Sequence, residues 1–209
     1  MIRRSHSRAG FTLVELLVGM SLALVVMTGV LSTFAFLGRN LNRLANQQQL
    51  ESEARRALAY FAQDVRMASG LSSPGTAQLE LAVPAGTAVR KVIYFYNSAD
   101  TATTVDIGAT GDEVSITAPA NSLVRFAEDT ANPNTGNTVT LLRNLLSLDF
   151  DYRDVSENEV TDFTDKVSSI KRVALEFRSQ TGVAANGTLT PVYPCASPFL
   201  TIRNKAFLE

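Results

Sequence analysis

The chain has very few of the residues that enzymes use most often for nucleophilic and metal chemistry. Its 209 residues include one cysteine, Cys195, one histidine, His6, and no tryptophan. His6 lies in the N-terminal segment that is predicted below to be removed, so the mature protein has no histidine for a Ser-His-Asp triad. A disulfide framework needs cysteines in pairs. We therefore predict a protein without enzyme activity, whose fold depends on a packed core and in which Cys195 is a buried or inert thiol.

Charge is nearly absent from residues 11–38. Glu15 is the one charged residue in this segment, whereas the residues before it include Arg3, Arg4 and Arg8. A helix of about 20 apolar residues is long enough to cross the hydrocarbon of a bilayer. Basic residues stay on the cytoplasmic side, so we predict a single-pass inner-membrane protein with a cytoplasmic leader and an exported, periplasmic remainder.

The small residues next to the apolar segment lie on the unusual side of it. A secretory signal peptide is cut after its apolar stretch, but here Ala9 and Gly10 come before it. A cut after Gly10 would keep the helix on the mature protein and would create an ammonium group on Phe11, one helical turn before Glu15. A carboxylate inside a membrane costs about 2.5–3.5 kcal/mol and usually has a partner. An uncleaved anchor is the alternative, although it leaves Glu15 unexplained.

Residues 10–18, Gly-Phe-Thr-Leu-Val-Glu-Leu-Leu-Val, resemble the prepilin signature of type IV pilins and type II secretion pseudopilins. The resemblance implies that a prepilin peptidase cuts between Gly10 and Phe11 and methylates the new amine of Phe11. It also implies that Glu15 sets the register between subunits by pairing with the amine of a neighbour. The implied partners are the prepilin peptidase, other pilin or pseudopilin subunits and the inner membrane. The formal net charge of −1 does not suggest a nucleic-acid surface, and we predict no nucleic-acid partner and no cofactor.

Small residues recur within the apolar segment at spacings that include steps of four: Gly19, Ala23, Gly29 and Thr33. Small residues at this spacing let two membrane helices approach closely. We predict that they pack against neighbouring subunits. The alternative stays open, because glycine and alanine are common in any membrane-spanning helix.

Beyond residue 38 the helical pattern becomes amphipathic. Leu58, Phe61 and Val65 recur at spacings of three and four, which predicts a helix face that packs against a sheet. Gly70 and Pro74 follow and are interpreted as the end of a helix that runs over residues 11–69.

Seven short runs rich in β-branched and aromatic residues predict strands. They cover residues 78–83, 89–96, 113–118, 123–127, 138–143, 145–152 and 170–178. No second long helix separates them, which favours an antiparallel sheet. The prediction is an α+β, pilin-like fold with a leader (1–10), a transmembrane assembly helix (11–38), an amphipathic continuation (39–69) and a β-rich periplasmic domain (70–209).

Stretches later in the sequence indicate which kind of pilin or pseudopilin the chain resembles. Residues 53–58, 138–143, 148–154 and 170–177 are similar to the J-type minor pseudopilin and the W-type minor pilin. This implies a minor subunit in a tip complex that starts assembly. The alternatives are a competence or DNA-uptake pilus component and a ligand-binding or adhesin module on a pilin stem.

One acidic stretch could supply oxygen ligands for a cation. Asp149, Asp151 and Asp154 are weak calcium candidates, since calcium prefers carboxylate oxygens. The spacing lacks the glycine and terminal glutamate of an EF-hand loop, and a solvated acidic connection explains it equally well.

Overall fold

A computed structural model describes residues 12–107, 113–132, 135–163, 167–180 and 192–202. It contains one long helix followed by strands, which confirms the predicted α+β, pilin-like fold. The elements are α1 Leu13–Met67, β1 Gly70–Pro74, β2 Gln78–Ala85, β3 Ala88–Asn97, β4 Thr103–Ile107, β5 Val114–Ala118, β6 Ser122–Glu128, β7 Gly136–Leu142, β8 Leu145–Arg153, a 3-10 turn Val167–Ser169, β9 Arg172–Gln180, β10 Val192–Ala196 and β11 Leu200–Thr201. The chain divides into two compact units between Asn46 and Gln47, within α1.

Helix α1 ends at Met67, two residues before the predicted end at Ser69. The Ser69 amide donates to the Ala82 carbonyl oxygen at 2.8 Å, and the Ser69 hydroxyl donates to the same oxygen at 3.1 Å. The backbone at Ser69 is therefore hydrogen-bonded to strand β2 and no longer belongs to the helix. Gly70 and Pro74, which the sequence suggested as helix-stop residues, are the two ends of β1. Glycine and proline are depleted in strands, so the composition of this segment concealed the strand.

The described strands form three sheets, and all their pairings are antiparallel. The five-stranded sheet has the order β1-β2-β3-β6-β7. In the four-stranded sheet β9 is central, with β8 along one side and β10 and β11 along the other. Strands β4 and β5 form a two-stranded hairpin.

The second of the two units, Gln47–Glu209, is called the globular unit here. Its main core forms where α1 packs against both larger sheets. Phe61 and Val65 are fully buried, as predicted. Leu58 is only partly buried, and its neighbour Ala57 is fully buried instead. The Phe61 ring packs edge-on against Tyr94 of β3, with centroids 5.6 Å apart, and lies 6.2 Å from the ring of Phe150 of β8. One helix side chain therefore contacts both sheets.

A second, smaller core lies on the other face of the five-stranded sheet. Val114, Ile116 and Ala118 of β5 are buried against Ile93 and Phe126. The hairpin thus covers apolar side chains that would otherwise face water. It also explains the strict alternation of buried and exposed residues along β5.

Tyr152 connects the two larger sheets through its hydroxyl. The hydroxyl donates to the Gly75 carbonyl oxygen at 2.8 Å and accepts from the Gly75 amide at 3.2 Å. Gly75 lies between β1 and β2, whereas Tyr152 is on β8. Burial raises the pKa of Tyr152 above its usual value.

A buried carboxylate fixes α1 on the five-stranded sheet. Arg125 of β6 donates from Nε and Nη2 to Asp64 Oδ2 and Oδ1 at 2.6 and 3.0 Å, and the Tyr94 hydroxyl donates to Oδ2 at 2.6 Å. The Asp64 side chain is 1% exposed and that of Arg125 is 12% exposed. Burial, followed by the charge of Asp64, raises the pKa of Tyr94. The paired donors satisfy a carboxylate that would be costly to bury alone.

Candidate assembly helix

The first part of α1 exposes apolar side chains on every side. All described large apolar residues from Leu13 to Leu44 are exposed, for example Leu13 at 78% and Val25 at 71%. A helix that is hydrophobic all round is normally buried in protein or in a membrane. By length and composition α1 can cross a membrane, and none of its most apolar stretch is buried within the chain. This helix fits a single-pass membrane anchor.

Thr12 caps the start of α1. The Glu15 amide donates to Thr12 Oγ1 at 3.3 Å, and the Leu16 amide donates to the Thr12 carbonyl oxygen at 3.2 Å. This is the N-cap geometry of a threonine followed three residues later by a glutamate. The cap places the carboxylate of Glu15 in the first helical turn, where the helix dipole favours negative charge. The prediction from sequence overlooked Thr12, although the Thr-x-x-Glu spacing is a known capping signal.

Glu15 lies on the same side of α1 as the predicted packing residues. At about 100° per residue, Glu15, Gly19, Ala23, Gly29 and Thr33 fall within about 120° of the helix circumference. An added Cβ at Gly19 or Gly29 would meet no other part of the described chain within 4 Å. A helical glycine costs about 1 kcal/mol relative to alanine. The contacts of the described residues give no reason for these two glycines, and their packing against a neighbouring subunit stays a prediction.

The hydroxyl groups of the apolar segment bond to its own backbone. Ser21 donates to the Val18 carbonyl oxygen at 2.8 Å, and Thr33 donates to the Gly29 carbonyl oxygen at 3.0 Å. These bonds lower the cost of placing hydroxyl groups in an apolar environment. Thr33 can therefore present its methyl group to a neighbouring helix.

The weak calcium candidates are not brought together into one site. Asp149 and Asp151 are on β8, and the Asp151 carboxylate lies 3.6 Å from Arg153. Asp154 accepts from the amide and the side chain of Asn158, at 2.9 and 3.1 Å. Within the described ranges, no group of three or more His, Cys, Asp or Glu side chains is placed to hold a metal ion.

Cys195 is partly buried on β10, where it packs against the main core. Burial raises the pKa of its thiol, which lowers the thiolate fraction and with it the reactivity. It lines a groove of about 450 Å³ together with Asp149, Glu176 and Arg178. Cys195 is partly buried rather than buried, and its inertness stays a prediction.

Together, the pilin-like α+β fold and the exposed apolar helix are the features of a membrane-anchored, pilin-like protein. Residues 5–31 match the family model for the prokaryotic N-terminal methylation motif. The match includes Gly10 and Phe11, which lie outside the described residues, and it also includes Glu15. It supports the pilin and pseudopilin family and processing by a prepilin peptidase. None of the curated proteins compared with the chain matches it.

Proposed function

We propose that this chain is a minor subunit of a type IV pilus or a type II secretion pseudopilus. The observation that carries the proposal is the exposed apolar surface of α1, which begins at a capped turn containing Glu15. Such a surface needs lipid before assembly and other helices after it. The function is structural and involves no catalysis.

In this proposal, processing and assembly depend on one charge pair. Cleavage between Gly10 and Phe11 removes the basic leader and creates an amine at Phe11, which is then methylated. Glu15 pairs with the amine of an adjacent subunit and sets the axial register. Gly19, Ala23, Gly29 and Thr33 lie on the same side of the helix as Glu15 and allow the neighbouring helix to approach.

The globular unit supplies the contacts that distinguish this subunit from others. Three of the stretches that resemble the J-type minor pseudopilin and the W-type minor pilin overlap β7, β8 and β9. We place the unit in the periplasm, in a complex of minor subunits at the tip, where it starts assembly. Its partners are the prepilin peptidase, the other subunits and the inner membrane.

Deleting the chain from its host tests the proposal. A subunit that starts assembly should change how many filaments form rather than how long each one grows. We expect deletion to lower the number of surface filaments, or the amount of secreted protein, at least tenfold, and any remaining filaments to have normal length. Complementation with the full chain is the control. Normal filament number, secretion and DNA uptake after deletion would contradict the proposal.

A further inference from the structure

Strand β7 is an edge strand that carries a bulge at Leu141 but neither proline nor charge. It has one neighbour in the five-stranded sheet, β6. Natural edge strands are commonly protected from pairing by proline, charge, bulges or short length. Among the described strands, β1 and β10 each contain a proline, and β8 contains Asp149, Asp151 and Arg153. The seven residues of β7, Gly-Asn-Thr-Val-Thr-Leu-Leu, include neither proline nor charge.

The backbone groups on the outer side of β7 can be identified from the pairing with β6. The Asp129 amide donates to the Thr135 carbonyl oxygen at 2.7 Å. These two residues are therefore a hydrogen-bonded pair, and every second pair along the two strands is hydrogen-bonded in the same way. The alternation of antiparallel pairing then turns the amides and carbonyls of Gly136, Thr138 and Thr140 away from β6. Among the described residues one partner is present on this side: Arg56 Nη2 donates to the Thr140 carbonyl oxygen at 3.3 Å. This distance is long for a hydrogen bond.

We propose that the outer edge of β7 binds a β-strand of a neighbouring subunit, and that this strand places a carboxylate beside Arg56. This inference rests on the proposed function, because it names the kind of surface through which the subunit contacts its neighbour. The incoming strand replaces the long Arg56 bond with a backbone amide donor. The Arg56 guanidinium then becomes free to pair with an acidic side chain.

The charges around β7 favour an acidic partner strand. Arg56 is exposed on α1 and Arg143 is exposed directly after β7. Neither has a carboxylate within ion-pair distance among the residues that the structure describes. An acidic side chain on the partner would therefore meet an unpaired cation, whereas a basic one would be repelled.

A second copy that uses the same edge is a poor fit. Antiparallel pairing of two β7 strands in one sheet relates the copies by a two-fold axis through that sheet. The part of α1 packed on the sheet would then run in opposite directions in the two copies. Subunits that pack side by side in one filament share one orientation and are therefore not related in this way. The partner strand therefore comes from a different edge of a neighbouring subunit.

The substitution Thr138→Pro in the full-length protein tests this directly. Proline removes an amide that faces away from β6, so the ladder within the sheet is retained. We expect the melting temperature in detergent to stay close to wild type and incorporation into sheared filaments or pseudopili to fall about tenfold. Thr138→Val keeps the amide and should incorporate normally.

A second pair of variants covers the case in which Thr138→Pro fails to fold. Arg56→Gln should lower incorporation severalfold, whereas Arg55→Gln, one residue away and paired with Glu51, should not. Incorporation of Thr138→Pro and Arg56→Gln at wild-type levels would overturn the inference but leave the proposed function intact. Absence of the wild-type chain from the assemblies would overturn both.

Discussion

Replacing Glu15 with leucine is expected to leave the protein in the membrane and to lower its incorporation into filaments about a hundredfold. A carboxylate in the hydrocarbon costs about 2.5–3.5 kcal/mol, so the leucine variant inserts more easily than the wild type. Under the proposed function, the pairing with a neighbour's amine offsets at least this cost in the assembled state. Losing the pair therefore removes a similar amount from assembly.

The structure helps to separate the charge of Glu15 from its place in the helix. The bond to Thr12 uses the backbone amide of residue 15, so leucine retains the cap and removes only the carboxylate. Ser21→Leu is a matched control in the same apolar segment, because the Ser21 hydroxyl is already bonded to its own helix. Membrane fractionation and blotting of sheared assemblies measure the two quantities. Wild-type incorporation of the Glu15→Leu variant would show that the carboxylate does not set the register.

Replacing Asp64 with alanine is expected to destabilise the globular unit by about 3–5 kcal/mol. The substitution leaves the Arg125 guanidinium buried without its carboxylate and the Tyr94 hydroxyl without its acceptor. In a protein of this size, we expect the melting temperature to fall by about 10 °C or more. Thermal unfolding of the full chain in detergent, followed by circular dichroism, measures the change.

Two further variants show whether the effect comes from the buried pair. Glu51→Ala removes an exposed ion pair with Arg55 on the same helix and should cost about 0.5 kcal/mol or less. The double variant Asp64→Leu with Arg125→Met removes both charges and should be more stable than Asp64→Ala alone, because no buried charge is left unpaired. Equal losses for Asp64→Ala and Glu51→Ala would contradict the role of Asp64 as the attachment between helix and sheet.

Local patterns were enough to predict α1 and seven of the strands. Between residue 39 and its end at Met67, α1 contains no proline or glycine, and the predicted strands are rich in β-branched residues. Strands β1, β4, β10 and β11 were missed because they are short and contain glycine, proline, serine or threonine, which also occur in turns. The end of α1 was not predicted to the residue, because it depends on a contact with a later part of the chain, the bond from Ser69 to Ala82.

The features that depend on strand order could not be predicted from the sequence. Asp64 precedes a core valine on α1, and only the pairing of Tyr94 with Arg125 across β3 and β6 explains why a carboxylate belongs there. The free edge of β7 likewise follows from its place in the five-stranded sheet. Glu15 was found because an isolated charge in an apolar helix is visible without any knowledge of the fold. Thr12 was equally visible, since the capping signal is local.

The central claim is that the chain is cut before its apolar helix, which creates the amine that the proposed pairing with Glu15 requires. The most direct test is the intact mass and N-terminal sequence of the protein extracted from its native membrane. We expect a chain that begins at Phe11, has lost residues 1–10 and carries one added methyl group on its amine. A mature protein that retains Arg3, Arg4 and Arg8 ahead of the helix would contradict the account.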